Sequence, residues 1–410
     1  MKLKKNIYLM YAIVLLQGMV FYGPIATLYR QARGVTVFQI TLIEGISYLL
    51  CIALEIPWGI LADRIGYKKT MVFCSGLFFV SKLIFWRASG FGGFLLERVL
   101  LSIVIAGLSG VDTSVLYLSC GEGESQKVFG IYNALGILGL LTASLVFSLF
   151  VKDNYNAAAW LTVISYGAAA VLSLFLEEVA PRERSRIRFG AFREILARVL
   201  RSGRLLLFLT AVAFLSQAQQ TITVFLNQLQ YEKCGLSPSA MGYIYILVTL
   251  AGLLGAFSHR LTRRSGVRST GVRLYLAAAL CCLALGLTGS APISVGSIIG
   301  LNIAGSLFQP LQTELQNRQV QSGNRATELS VYAMIVDCIS AGTSVVFGAF
   351  AKVSLKAAFF FGAGICLAGV CLFLIWYRKQ PETRLPLGEE IEKCTEASSL
   401  PGKKVWEFPD

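Results

Sequence analysis

Of the 410 residues, 55% are hydrophobic and only 15% charged, with a mean hydropathy of +0.65, against roughly 45–50% apolar and about 25% charged in soluble domains. That balance excludes a soluble enzyme. The net charge of +14, from 37 Lys+Arg against 23 Asp+Glu, would suggest nucleic acid as partner in a soluble chain, but here the basic residues fall between long apolar runs.

Six apolar segments long enough to cross a bilayer lie near 6–29, 38–62, 69–89, 92–119, 126–151 and 156–176. Six more lie near 204–230, 238–259, 270–289, 292–316, 326–351 and 355–377. At about 20 residues per crossing, twelve spans use roughly 240 residues and leave about 170 for helix ends, loops and one linker. The opening MKLKKN and its apolar run look like a signal peptide. The run from Ile7 to about Leu28 is longer than the roughly 7–15 residues of such a segment, however, and no small-residue cleavage site follows, so it reads as the first span. Ten cysteines are scattered, mostly inside apolar runs, without metal-ligand spacing, and read as reduced packing residues.

With both termini placed in the cytoplasm, the inside segments hold about 28 Lys/Arg and the outside loops about seven, which is the bias of the positive-inside rule. Between the sixth and seventh spans, the segment RERSRIRFGAFREILARVLRSGR sets Ile187, Phe189, Phe192, Ile195, Leu196, Val199 and Leu200 at helical spacing among arginines. This suits a helix lying on the membrane surface and a solvated linker equally well.

An internal repeat is visible. Gly59-x-x-x-Asp63-Arg64 returns as Gly255-x-x-x-His259-Arg260, an offset of 196, and Ser144–Lys152 (SLVFSLFVK) returns as Ser344–Lys352 (SVVFGAFAK), an offset of 200 with five identities in nine. Tyr132 and Tyr332 share the second register. Two six-helix halves joined by a linker form a parallel repeat about an axis along the membrane normal. The expected fold is thus an all-α integral membrane protein of 12 transmembrane helices in two six-helix pseudo-repeats, with N and C termini cytoplasmic. The expected parts are a bundle over 1–176, a basic cytoplasmic linker over 177–203, a second bundle over 204–377 and a cytoplasmic tail over 378–410.

Between the second and third spans stands Gly59-Ile60-Leu61-Ala62-Asp63-Arg64-Ile65-Gly66-Tyr67-Lys68-Lys69. Gly59 permits close helix contact, Gly66 a sharp turn, and Asp63 offers a carboxylate to the positive end of a neighbouring helix. The segment resembles motif A of the major facilitator superfamily at every defining position. That resemblance implies that Asp63 meets helix 11 and holds the inner gate shut in the outward-facing state, with Gly59, Arg64, Gly66 and Lys68 as its companions. Arg98, 35 residues after Asp63, stands where the superfamily's motif B has its arginine, although Leu101 and Ser102 replace the usual Gln and Gly. Arg325-Ala326-Thr327, with Leu329 and Ser330, resembles the RAT-x-LS opening of helix 11 in drug-efflux-like members, with Glu328 in an ordinarily apolar place. The Gly-Pro pair of motif C, the antiporter signature, is missing from the fifth span, which carries Gly130, Gly136 and Gly139 instead.

Four spans align polar groups on one side, which a purely lipid-facing helix has no reason to do. The first carries Tyr8, Tyr11, Gly18, Tyr22 and Tyr29, and the fourth Arg98, Ser102, Ser109 and Asp112. The seventh carries Gln217, Gln220, Thr221, Asn227 and Gln228, and the tenth Asn302, Gly305, Ser306, Gln309, Gln312, Thr313 and Gln316. The resemblance implies that these same four helices line a central cavity. Each of these groups also suits an interhelical hydrogen bond.

Ionisable residues at membrane depth cost about 3 kcal/mol each on insertion scales, so they mark function or interhelical ion pairs. Those present are Glu44, Glu55, Glu97, Arg98, Asp112, Glu314 and Asp337. Glu97 and Arg98 are consecutive on a helix and diverge too far to pair directly. Asp112, on nearly the same face as Arg98, and Glu44 and Asp337 are the expected coupling acids, because a carboxyl whose exposure alternates can load a proton on one side and release it on the other. His259 reads as a loop residue.

No nucleotide-binding loop, nucleophile elbow or zinc motif is present, which disfavours ATP-driven transport by this chain alone and hydrolytic chemistry. The expectation is a secondary transporter working by alternating access, without cofactor and driven by a proton gradient. It would be a monomer of the plasma (inner) membrane whose partners are the bilayer and a small-molecule substrate, with no nucleic acid. Proton-coupled export of an amphipathic organic compound leads. Uptake or facilitated diffusion of a small neutral or zwitterionic solute, or lipid flipping, fit the same fold, and a non-transporting receptor fits it least.

Overall fold

The computed structural model describes residues 2–120, 125–179, 189–320 and 325–378. The backbones of these stretches are helical, with short connections and no strand among them. Twelve spans follow in chain order: α1 (Lys4–Ala32), α2 (Val37–Glu55), α3 (Tyr67–Arg87), α4 (Gly90–Ser119), α5 (Lys127–Val151), α6 (Tyr155–Ser173), α7 (Gly203–Lys233), α8 (Pro238–Ser265), α9 (Val267–Leu287), α10 (Ala291–Gln319), α11 (Glu328–Val353) and α12 (Leu355–Arg378). The helix holding α2 runs on to Ile65, and the helix holding α11 begins at Arg325. Because successive spans alternate in direction, the start of α1, the end of α12 and the linker helix lie at one face of the bundle, here the linker face, and the opposite end is the far face.

Packing repeats between the halves. In the first, α3 lies on α4 and α6, and α1 on α5; in the second, α9 lies on α10 and α12, and α7 on α11. The halves meet through α2 on α11 and through α8 on α5, pairs that the same symmetry relates. The repeat offset at the motif A turn is 200: α3 and α9 start 200 residues apart and end 200 apart. Gly66 and Gly266 both adopt positive φ, +96° and +75°, which is why each tight turn holds glycine. Asn154 and Ser354, likewise 200 apart, cap α6 and α12 by accepting from Ala157 N and Ala357 N. Counted from the turn glycines, the counterpart of Asp63 is Arg263 and not His259, which corrects the offset of 196 by one helical turn. His259 is exposed, with Nδ1 on Ala256 O of its own turn.

Several spans are broken where hydropathy alone reads them as continuous. α1 loosens after Gly18 and passes through a 3₁₀ turn at Gly23–Ile25. Gly110, at φ +80°, interrupts α4, so Asp112 does not continue the face of Arg98 as an unbroken helix would have it. α7 widens into a π segment at Thr221–Leu226. The linker helix Phe189–Arg201 packs on α7 and α11 with Ile195 and Val199 buried, so part of its apolar edge rests on the second half and not on solvent. The expected tail after Arg378 lies outside the described residues.

Candidate transport site

A cavity of about 320 Å³ opens at mid-depth, at the small end of ligand pockets, which run about 300–1,000 Å³. Its walls come from α7 (Ser216, Gln217, Gln219 and Gln220), α10 (Gly305, Ser306, Gln309 and Gln312), α11 (Asp337 and Ser340) and α2 (Tyr48). The polar stripes of the seventh and tenth spans therefore do converge on one space. Gln219, which lies off the stripe read from the sequence, is positioned by Asn302, whose Oδ1 accepts from its Nε2 at 3.0 Å. Gly305 makes room for it, since a Cβ there would come within 2.7 Å of Gln219 Cγ. Asn302 in turn donates to Val248 O at 2.8 Å, so it supports the wall from behind. Gln217 donates to Thr221 Oγ1 at 2.8 Å, tying the two residues to each other.

The side chains of Gln220, Gln309, Tyr48, Ser306, Ser340 and Asp337 line the cavity and make no hydrogen bond with other described residues. An amide, a hydroxyl and a carboxylate left uncommitted around one space supply both donors and acceptors for a ligand. Asp337 also lies close enough to Glu55 of the α2 helix for their charges to act on each other.

The first and fourth spans contribute nothing to these walls. Tyr11 donates to Val128 O at 3.3 Å across α1 and α5. Tyr22 is buried, stacked on Phe85 with ring centroids 4.0 Å apart. Ser109 is an exposed residue at the α4 break. Asn227 is buried and accepts from Gln228 N through its own Oδ1. Asp112 accepts from Thr113 N at 2.6 Å and from Tyr132 at 3.5 Å, near the linker face and away from Arg98.

The consecutive Glu97 and Arg98 point to different partners, as helix geometry requires. Arg98 meets Glu44 of α2 at 2.5 Å. Glu97 meets Lys82 of α3 at 3.7 Å, both almost fully buried. Lys82 is a residue the sequence did not single out; the available signal was its depth, well inside the third apolar run. Of the motif A residues, Gly66 forms the turn into α3, and Lys68 N donates to Glu178 Oε1 at 3.2 Å. The side chains of Gly59, Asp63, Arg64, Arg325 and Thr327 lie outside the described residues.

The far face is sealed between the halves. Gln228 Oε1 accepts from Thr27 N at 2.7 Å and its Nε2 donates to Gly23 O at 3.3 Å. Ser239 donates to Ser148 O at 2.6 Å, and Ser344 to Thr41 O at 3.0 Å. Toward the linker face the polar residues Ser109, Thr113, Gln309 and Thr313 are exposed, whereas Thr221, Asn227 and Gln228 toward the far face are buried. The bundle is thus closed at the far face and wetter toward the linker face.

Comparison with known proteins agrees with this architecture. The chain matches the family model of the Major Facilitator Superfamily over residues 7–340. It is 31% identical over 141 residues to an uncharacterized MFS-type transporter of Methanocaldococcus jannaschii, covering 34% of this chain and 36% of that protein. It is 27% identical over 146 residues to an uncharacterized transporter of Buchnera aphidicola subsp. Schizaphis graminum, covering 35% and 36%. The matched stretches thus span about a third of each of these relatives. In fold it resembles the nucleoside transporter NupG (TM-score 0.77, 15% identity, 92% of this chain and 100% of that one). It also resembles a D-xylose-proton symporter (0.72, 16%, 93% and 99%) and an inward-facing bacterial homolog of the human lysosomal transporter Spinster (0.65, 18%, 91% and 94%). Twelve candidate spans in two pseudo-symmetric halves and a family match over residues 7–340 place the chain in the Major Facilitator Superfamily: it is a multi-pass membrane protein with the fold of the secondary transporters.

Proposed function

We propose that this protein moves a small, neutral, hydroxyl- or amide-bearing solute by alternating access, with a proton carried on Asp337. The observation that carries this reading is the wall of uncommitted amides, hydroxyls and one carboxylate around the mid-depth cavity. Such groups reward a ligand dense in hydrogen-bonding positions and penalise an apolar one that would leave them unpaired. The structural neighbours named for nucleosides and for D-xylose carry cargo of that chemistry, which supports the reading without deciding the solute.

Export of an amphipathic compound, the leading expectation from sequence, called for a mixed aromatic and amide cavity. Tyr11 and Tyr22 are committed elsewhere, and the aromatic groups that do line the cavity, Tyr48 and Phe308, stand beside five glutamines, so the lining leans toward the amide half of that expectation. Among the expected coupling residues, Asp337 is the one on the cavity wall; Glu44 and Arg98 pair with each other behind Tyr48. The basic excess in the linker-face loops favours a cytoplasmic linker face, hence a plasma-membrane protein resting open to the cytoplasm. The gate residues Asp63, Arg64, Arg325 and Thr327 would then re-form the seal at that face in the opposite state.

The test uses purified protein in proteoliposomes, with thermal stabilisation across nucleosides, sugars, amino acids and amphipathic amines, followed by counterflow and pH-gradient-driven uptake of each hit. A polar neutral hit whose accumulation is lost in Asp337→Asn while counterflow persists is the expected result. Stabilisation by the amines alone, or gradient-driven accumulation unchanged in Asp337→Asn, would overturn it.

A further inference from the structure

The buried pair of Lys82 and Glu97 lies outside the cavity and outside the Arg98–Glu44 pair. Lys82 and Glu97 are 5% and 1% exposed. An ion pair removed from water in this way is retained at a cost of several kcal/mol per ion unless its surroundings compensate. Here they compensate on one side only. Lys82 Nζ stands over the rings of Phe78, Tyr166 and Tyr22 at 5.1, 5.3 and 5.8 Å and donates to Tyr22 Oη at 3.1 Å. Glu97 Oε2 is buried with no hydrogen-bond partner.

The pair is wired to the far-face seal. Tyr22 is the residue before the 3₁₀ turn Gly23–Ile25 of α1. That turn gives Gly23 O to Gln228 of α7, and Thr27 N just after it donates to the same side chain. One short path therefore runs from Glu97 through Lys82 and Tyr22 to the α1 turn and across to the second half.

We propose that Glu97 is a proton-binding site, separate from the cavity, whose occupancy controls opening at the far face. With Glu97 ionised, Lys82 has its counter-charge and holds Tyr22, so the α1 turn stays where Gln228 can grip it. When Glu97 takes up a proton it becomes a neutral acid, and no other bond changes. Lys82 is then a buried cation among aromatic rings without a counter-charge, and admitting water from the far face relieves it. Protonation thus favours the far-open state. The other charged or titratable groups around the pair are Tyr22 and Arg30 of α1, Arg98 of α4 and Tyr166 of α6. Arg98 is already matched by Glu44. Arg30 rests over Phe85, 5.4 Å from its ring centroid, where it leaves the net charge near the pair positive when Glu97 is neutral.

The inference depends on alternating access but on neither the cargo nor the role given to Asp337. Its test therefore needs no substrate. Spin labels at Asp153→Cys and Lys356→Cys, exposed far-face positions on the first and second halves, report the separation of the halves in a background free of other cysteines and carrying Asp337→Asn, which silences the proton site proposed on the cavity wall; this background serves as the wild type at positions 82 and 97. In the wild type, lowering pH should populate a longer distance. Glu97→Gln should populate it at high pH, raising the open-to-closed ratio at least about tenfold, within what unpairing a buried ion releases. Lys82→Met combined with Glu97→Gln removes the stranded cation and should return the short distance with no response to pH. Glu97→Gln matching the wild type at both pH values would overturn the proposal. So would a pH response that survives in the double variant, a comparison that stands even where the single variant does not fold.

Discussion

Arg98 on α4 and Glu44 on α2 lie 2.5 Å apart, and Glu44 is one helical turn from Tyr48, which stands on the cavity wall. The pair therefore fixes the α2 wall of the cavity from within the first half. Removing one partner of such a pair costs about 3–5 kcal/mol, whereas replacing both with apolar groups of similar size is often neutral or stabilising. Arg98→Met should accordingly lower the thermal unfolding temperature strongly, and the double variant with Glu44→Leu should recover much of the loss. Unfolding followed by intrinsic fluorescence in detergent would check this, and equal losses in single and double variants would assign the pair a role beyond charge balance.

The far-face seal can be locked covalently. An ideal Cβ at Gly348 of α11 would stand 3.1 Å from Thr41 Cβ on α2, slightly inside the roughly 3.5–4.5 Å window of a disulfide. Thr41→Cys with Gly348→Cys should cross-link under mild oxidation after a small adjustment, abolish transport, and regain it on reduction. Retention of transport in fully cross-linked protein would mean that the far face need not open at this contact.

The sequence was most informative where physics is periodic or additive. Span length and the stripes on the seventh and tenth spans follow from hydropathy and helical spacing, and each has its counterpart in the fold. The breaks were less legible. Gly110 looks like any other glycine of an apolar run, and it takes tertiary structure to show φ at +80° there and so to separate Asp112 from the face of Arg98. The committed side chains were equally hidden. Tyr22 and Asn302 have the composition of ligand-binding residues, but their partners Lys82 and Gln219 lie 60 and 83 residues away, a relation no local pattern encodes. Gln219 was missed for the complementary reason, since a strict helical stripe sets it aside while Gly305 opposite opens the space it occupies.

Gly305 gives a direct test of the cavity. Its replacement by valine would push branched carbons into the space of Gln219, whose Cγ lies 2.7 Å from an ideal Cβ, and would displace Gln219 from Asn302. Overpacking of this kind costs about 1–3 kcal/mol. Affinity for the transported solute should therefore fall about tenfold or more while the protein still purifies as a folded species. Transport assayed over a range of substrate concentrations separates this from a loss of turnover, and an unchanged KM would place the solute elsewhere.

A last prediction concerns the fifth span, where glycines stand in place of the Gly-Pro pair of the antiporter signature. Gly139 faces the backbone of α1 so closely that an added Cβ would overlap Leu15 O, and a Cβ on Gly18 would overlap Gly136 O. Backbone cannot step aside as a side chain can, so Gly139→Ala should force α1 and α5 apart and destabilise the first half by about 1–3 kcal/mol. Gly130 on the same helix has open space where a Cβ would stand, and Gly130→Ala should be neutral or stabilising by up to about 1 kcal/mol through the better helix propensity of alanine. Thermal unfolding of the two variants side by side checks the contrast. Equal behaviour would mean that the α1–α5 contact relaxes freely and that the glycines at 18, 136 and 139 serve backbone flexibility during the rocking of the halves and not close packing.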